Sequence, residues 1–134
     1  MDKVFLDANV VFSAAYSPNS RLLDLWLLDD VELVISLLVM EEARRNMLVH
    51  NPNGMHALDE LAAKITMVSG TRTRGLPEGI QLADKDTPIL LAAIDSGCTH
   101  FLTGDKRHFE TMYGKSIGGV TVLTPAMYLQ SRII

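Results

Sequence analysis

Four short stretches of the chain are apolar at nearly every position instead of at every second one: Val4-Phe5-Leu6, Leu33-Val34-Ile35, Phe101-Leu102 and Val120-Thr121-Val122-Leu123. A strand with water on one face alternates, whereas a strand covered on both faces does not, so these stretches predict buried strands of a parallel sheet. Thr66-Met67-Val68 is a weaker fifth. Between them, apolar residues recur at helical spacing over 10–15, 21–28, 37–48, 55–64, 87–96 and 126–130. Ser20, Ser36, Asn53 and Thr124 stand where N-caps belong, Pro125 suits a first helical turn, and Gly97 suits a C-terminal cap. Strands alternating with helices, joined by crossovers of this length, predict an α/β fold with a parallel sheet of four to five strands.

In open parallel sheets the functional crevice lies beyond the carboxyl ends of the strands. The residues there are acidic. Asp7 closes the first strand, and Asp105 follows Phe101-Leu102-Thr103-Gly104. Asp86 immediately precedes Thr87-Pro88-Ile89, the first turn of the helix leading into the Asp105 strand, and Glu41 and Glu42 begin the second turn of the helix after Ile35-Ser36. Crowded carboxylates repel and raise one another's pKa, so such a cluster calls for protons or cations to neutralise it. Hard divalent ions such as Mg2+ or Mn2+ prefer carboxylate and water oxygens, and they activate water and stabilise a leaving oxygen in phosphodiester hydrolysis. Of the two glutamates, Glu42 lies nearer the stripe formed by Val39, Met40, Ala43 and Met47, while Glu41 lies farther round, where it can pair with Arg45.

Composition narrows the picture. With 134 residues, 48% hydrophobic and 21% charged, residues 1–134 are expected to form a single globular domain. Cys98 is the single cysteine and cannot form an internal bridge. The longest apolar stretch, 89–94, is far short of the roughly 20 residues that span a bilayer. The start Met-Asp-Lys-Val shows no basic-then-apolar leader, so a soluble, cytoplasmic protein without membrane contact is expected. The net charge of −4 excludes a broadly basic polyanion-binding surface. Set Asp7, Glu42, Asp86 and Asp105 aside, however, and the remaining acids equal the bases in number. A pair of divalent ions would cancel the cluster, leaving Arg44, Arg45, Arg72, Arg74, Lys85, Lys106 and Arg107 to grip phosphates locally.

Leu6-Asp7-Ala8-Asn9-Val10-Val11 with Ser13, then Ser36 through Glu42, then Asp86-Thr87-Pro88-Ile89-Leu90, then Thr103-Gly104-Asp105-Lys106 resemble, in that order, the acidic motifs of the PIN domain family. The ending Gly119-Val120-Thr121-Val122-Leu123-Thr124-Pro125-Ala126 is similar to the last strand and helix of its toxin-like (VapC-like) members. The resemblance implies a three-layer α/β/α fold with sheet order 3-2-1-4-5. It also implies a metal-dependent endoribonuclease using Mg2+ or Mn2+, commonly the toxin of a type II toxin–antitoxin pair, with RNA as substrate, an antitoxin protein as partner and frequent homodimers. Carried over residue by residue, Asp7, Glu42, Asp86 and Asp105 match the catalytic, metal-holding acids, with Asn9 and Thr103 in support and Lys106 and Arg107 placed for RNA phosphates. The segment between Glu42 and Asp86 is rather short, which bears on the loops that would clamp RNA.

Each acid also has an ordinary structural use: Asp7 in an Asx turn, Asp86 as an N-cap, Asp105 in a turn. Their joint pattern outweighs those uses. His50, His56, His100 and His108 show no paired ligand spacing, and His108 reads more readily as a surface residue than as part of a cleft. The leucines around Trp26 exceed one buried face, which points to self-association through the early helices. A haloacid-dehalogenase-type phosphatase needs an acid where Asn9 stands, and a receiver domain needs adjacent acids at the first strand's end; neither fits. The alternative that remains is a catalytically silent PIN scaffold that binds RNA or a protein partner.

Overall fold

The computed structural model describes residues 1–69 and 75–132. In chain order its elements are β1 (Asp2–Leu6), α1 (Ala8–Tyr16), a 3-10 segment (Arg21–Leu27), β2 (Val31–Ser36), α2 (Leu37–His50), a 3-10 turn (Pro52–Gly54), α3 (Met55–Ala62), β3 (Thr66–Val68) and α4 (Thr87–Asp95). There follow β4 (His100–Leu102), α5 (Lys106–Phe109), a 3-10 turn (Glu110–Met112), β5 (Ser116–Ile117), β6 (Val120–Leu123) and α6 (Pro125–Ser131). The sheet runs β3-β2-β1-β4-β6-β5, with every neighbouring pair parallel except β5 and β6. Without the two-residue β5, the order is the 3-2-1-4-5 that the resemblance implied. The expected strands are thus present, and Thr66-Met67-Val68 is the edge strand β3.

Central strands are continuous in hydrophobicity because both of their faces are covered. Val4, Phe5 and Leu6 are fully buried, as are Val34 and Ile35. On one side α1, α2 and α3 pack together, and the 3-10 segment joins α1 to α6. The β3–α4–β4 crossover steps across the sheet in the opposite direction to β1–α1–β2. Right-handed connections therefore put α4 on the other face, against β2 and β4. Phe101 links the layers, with ring centroids 5.8 Å from Phe5 and 5.2 Å from Phe109. The last helix is latched to the first strand through the Tyr128 hydroxyl, which donates to Asp2 at 2.6 Å, and through Arg132, which pairs with Asp2 and Asp30.

The caps explain where helices start and stop. The Ser36 hydroxyl accepts from Val39 N–H, and Thr124 accepts from Met127 N–H. Gly97 adopts φ +74°, and hydrogen bonds from Gly97 N–H to Ile94 and from Cys98 N–H to Ala93 close α4 in a Schellman motif. Asn53 is not a cap: it lies inside the Pro52–Gly54 turn, which runs directly into α3. Residues 21–27 wind as 3-10 and not as α. Their nearly unbroken leucines leave no 3.6-residue stripe from which the winding could be read. Leu25 belongs to the core, and Trp26 packs on it while its Nε1–H donates to Leu61 O at 3.2 Å. Trp26 is thus half-buried by packing within the chain, while Leu27 beside it stays exposed. Among the described residues no helix is long and apolar enough to cross a membrane.

Phe101 is fully buried and bridges two other rings. Phe101→Ala is expected to cost about 3–5 kcal/mol, read as a lower urea midpoint at unchanged slope. The exposed Leu27→Ala, at 75% exposure, should fall within about 0.5 kcal/mol of the parent.

Candidate active site

The parallel register places Leu6 opposite Leu102, so the residues that follow them emerge side by side at the carboxyl edge. Asp7 N–H continues the ladder to Leu102 O, and Thr103 N–H continues it to Leu123 O. Asp7 then caps α1, its Oδ1 accepting from Ala8 N–H at 2.8 Å. Its Oδ2 accepts from the Thr103 hydroxyl at 2.8 Å and from Asn9 Nδ2 at 3.2 Å. Thr103 Oγ1 also accepts from Asp105 N–H at 3.0 Å, and Asn9 Oδ1 accepts from Gly104 N–H at 2.8 Å. Asn9 and Thr103 thus tie the Asp7 carboxylate to the loop that carries Asp105.

Asp7 is only 4% exposed. Burial raises its pKa from the usual 3.8 to about 6; the Thr103 and Ala8 hydrogen bonds pull it back, and the Glu42 and Asp86 charges push it further up. Glu42 and Asp86 are thus near enough for their charges to act on Asp7. Val39, Met40, Ala43 and Met47 are the buried positions of α2, which leaves Glu42 half-buried and Glu41 exposed. Among the described residues Glu41 forms no ion pair with Arg45; the neighbouring Arg44 instead pairs with Asp59 of α3.

Asp86 occupies the N-cap position of α4 but makes no capping hydrogen bond. Its carboxylate is buried and turned to the site, where desolvation raises its pKa against the opposing charges of His108 and Lys85. Asp105 caps α5, accepting from His108 N–H at 3.3 Å. The His108 ring lies between the two acids, Nδ1 being 2.8 Å from Asp86 Oδ2 and 2.9 Å from Asp105 Oδ2. Neither approach has hydrogen-bond alignment, so Asp86 Oδ2 and His108 Nδ1 are both buried without a directed partner.

The sequence reading undervalued His108, although its i,i+3 spacing from the capping Asp105 was a usable signal. It missed Tyr113, whose hydroxyl donates to Thr103 O at 3.0 Å and whose pKa is raised by burial and by Asp105 and Asp7. Lys106 and Arg107 are exposed beside Asp105, and Arg45 is exposed on α2. Arg72 and Arg74 lie outside the described residues. Cys98 is buried, and burial raises its thiol pKa, which suits a packed side chain and not a nucleophile.

The donor set fits a hard divalent cation in its chemistry: carboxylate oxygens, two of the acids buried, and one buried oxygen lacking a directed partner. Among the described residues, no three Asp, Glu, His or Cys side chains are gathered closely enough to form a ligand shell. The imidazole of His108 stands between two of the acids.

Residues 3–107 match the PIN domain family, and the chain belongs to that family. Its fold is shared with a chain in the crystal structure of VapBC2 from Rickettsia felis bound to a DNA fragment from their promoter, at TM-score 0.67 and 14% identity over 91% of this chain and 98% of that one. It is shared too with a chain of VapBC-1 from nontypeable Haemophilus influenzae, at TM-score 0.61 and 11% identity over 92% and 98%. A chain of FitAB bound to an IR36 DNA fragment is similar at TM-score 0.53 and 21% identity over 91% and 94%. No curated protein sequence matches.

The raised pKa of Asp7 has a defined consequence for stability. A carboxyl that binds its proton more tightly when folded favours the folded state most below pH 3.8, and that advantage is lost as pH rises through about 6. The displacement corresponds to about 3 kcal/mol. Without divalent ions, the protein should therefore be less stable at pH 7.5 than at pH 5 in urea titrations. Asp7→Asn should flatten much of that difference.

Proposed function

We propose that this PIN domain is an endoribonuclease that uses Mg2+ or Mn2+ to hydrolyse RNA phosphodiester bonds, acting in the cytoplasm as the toxin of a type II toxin–antitoxin pair. The observation that carries this reading is the burial of Asp7 and Asp86 in the company of Glu42 and Asp105. Acids kept out of water at raised pKa make sense as a place to hold cations. The toxin role and the antitoxin partner draw on the resemblance to toxin-like PIN proteins and on the fold shared with chains of VapBC2, VapBC-1 and FitAB. A second copy of the chain is a further proposed partner. The exposed Leu37, Leu38, Leu48 and Val49 of α2 offer apolar surface for it.

Asp7, Glu42, Asp86 and Asp105 would hold the ions, whose chemistry is to polarise phosphoryl oxygens and lower the pKa of a water. Asn9 and Thr103 fix the Asp7 carboxylate in one orientation, so that little reorganisation is needed on loading. His108 must leave the space between Asp86 and Asp105 for both acids to turn inward. Lys106 and Arg107 hold the phosphates beside the scissile one. Attack of water on phosphorus forms one P–O bond and breaks the bond to the leaving oxygen, which departs with a proton. The position of His108 also favours a second reading, a scaffold that binds RNA or a protein without cutting, because the imidazole already occupies space that the acids would share with an ion.

Cleavage of single-stranded or structured RNA should appear with Mg2+ or Mn2+ and vanish on chelation. Asp105→Asn should lower it by at least about 100-fold. Full cleavage by metal-free protein would sink the mechanism, and metal binding by calorimetry with no cleavage of any RNA would select the scaffold.

The two glutamates separate a site residue from its neighbour. Glu42→Gln should suppress cleavage and weaken metal binding in calorimetric titrations, while Glu41→Gln should stay within about threefold of the parent in both. Equal loss in the two variants would place the site elsewhere on α2.

A further inference from the structure

A cavity of about 350 Å³ opens beside the acidic cluster, between the start of α1 and the start of α6. Asn9 and Gly104 form part of its lining. The same two residues are joined by the Gly104 N–H to Asn9 Oδ1 bond, and Asn9 Nδ2 is turned to Asp7. The wall between cavity and cluster is therefore fixed by the bonds that orient Asp7. Beyond it the lining is mainly apolar, from Val10, Leu22, Pro125 and Ala126, with the Ser13 hydroxyl available at the side and Lys106 as the single charged group.

Three properties narrow the occupant. The volume lies near the lower end of the ~300–1,000 Å³ of small-ligand pockets, which suits one flat ring system with its sugar and not a helix or a strand. The single charge is positive, on an otherwise acidic chain, which favours a phosphate-bearing ligand. The cavity adjoins the edge where Asp7 and Asp105 emerge, since Asn9, Gly104 and Lys106 of its lining flank those two acids along the chain. A base taken out of its stack is held by apolar side chains on its faces and by hydrogen bonds at its edge, and this cavity supplies both.

We propose that this cavity is a base-binding subsite, taking one nucleobase of single-stranded RNA next to the phosphodiester that is cut. Lys106 grips the intervening phosphate, and Ser13 meets the edge of the base. The subsite rests on the nuclease reading above and deepens it, because base identity then joins phosphate geometry in choosing where the chain is cut. Val10, Leu22 and Ala126 are its specificity-determining positions.

The test separates the two readings. Methyl resonances of Val10, Leu22 and Ala126 in the full chain are followed by NMR while each of the four nucleoside 5′-monophosphates is added without divalent metal. At least one nucleotide should shift them saturably. Ala126→Trp and Ser13→Trp fill the cavity from exposed rim positions, and each should abolish the shift. In RNA cleavage with Mg2+, the same variants should lose base preference at one position flanking the cut, the ratio of preferred to non-preferred rates falling towards one. Methyls unmoved by all four nucleotides, or base preference retained in both filled variants, would overturn the subsite while leaving the nuclease intact. Saturable shifts in a protein that cuts no RNA would keep the base site and remove the nuclease reading. Filled variants that bind and cut RNA unchanged but lose a co-purifying protein partner would assign the cavity to a protein side chain and overturn the proposal.

Discussion

The Thr103 hydroxyl has one proton and two lone pairs to place, and all three are used at the carboxyl edge of the sheet. The proton goes to Asp7 Oδ2, and the oxygen accepts from Asp105 N–H and from Asn9 Nδ2. The parallel register of β1 and β4 makes this possible, since Leu6 opposite Leu102 delivers Asp7 and Thr103 as neighbours. A slip of one residue between the two strands would put their side chains on opposite faces and break this contact. The hydrogen bonds reduce the cost of burying Asp7 but do not cancel it: its pKa remains raised, so desolvation exceeds the compensation that the fold provides. The surplus is an electrostatic deficit that the fold creates at the carboxyl edge of its sheet.

Asp86 shows the same priority from the helix side. Asp is a favoured N-cap, and a cap hydrogen bond is worth about 1 kcal/mol. Asp86 stands at that position and makes no such bond, its carboxylate turned to the cluster instead. The helix tolerates the loss partly because Pro88 in its first turn brings no N–H to satisfy. Asp105 does both: Oδ1 caps α5 while Oδ2 approaches His108. The imidazole then sits between acids from two different crossovers, α4 and the loop after β4. Local capping, sheet topology and cluster electrostatics are consequently coupled, and a change in any one of them moves the other two.

The sheet was legible because burial on both faces writes itself as unbroken hydrophobicity. Val4-Phe5-Leu6 could hardly be anything but a central strand. Short-range geometry was less legible. Ser116–Ile117 became the strand β5 because Gly118 and Gly119, at φ +59° and +88°, turn the chain back onto Val120, a two-glycine hairpin signal that the apolar pattern overlooks. Asn53 resembled a cap until Pro52 started a 3-10 turn before it. In the site, Asp7, Asp86 and Asp105 could be singled out from their places after strands or before a helix, and Glu42 from its helix phase and the family resemblance. His108 carried a partial signal in its i,i+3 spacing from Asp105, but its approach to Asp86 and the reach of the Tyr113 hydroxyl to Thr103 are through-space contacts. No spacing along the chain encodes either contact.

An acidic protein handling a polyanion looks self-defeating only if its charge is taken as a single sum. At physiological ionic strength charges are felt over about 8 Å, so a phosphate at the cleft responds to nearby groups and not to the net −4. Two other cations are engaged structurally, Arg44 with Asp59 and Arg132 with Asp2 and Asp30. Lys106 and Arg107 are exposed next to Asp105, and Lys85 is near enough to Asp86 to oppose its raised pKa. Were the four acids neutralised by bound ions, as proposed, the local balance at that edge would become positive without any broadly basic surface. On the proposed reading, ions at the cluster would supply the chemistry and, by removing the negative field, would open the approach to a substrate that the bare cluster repels.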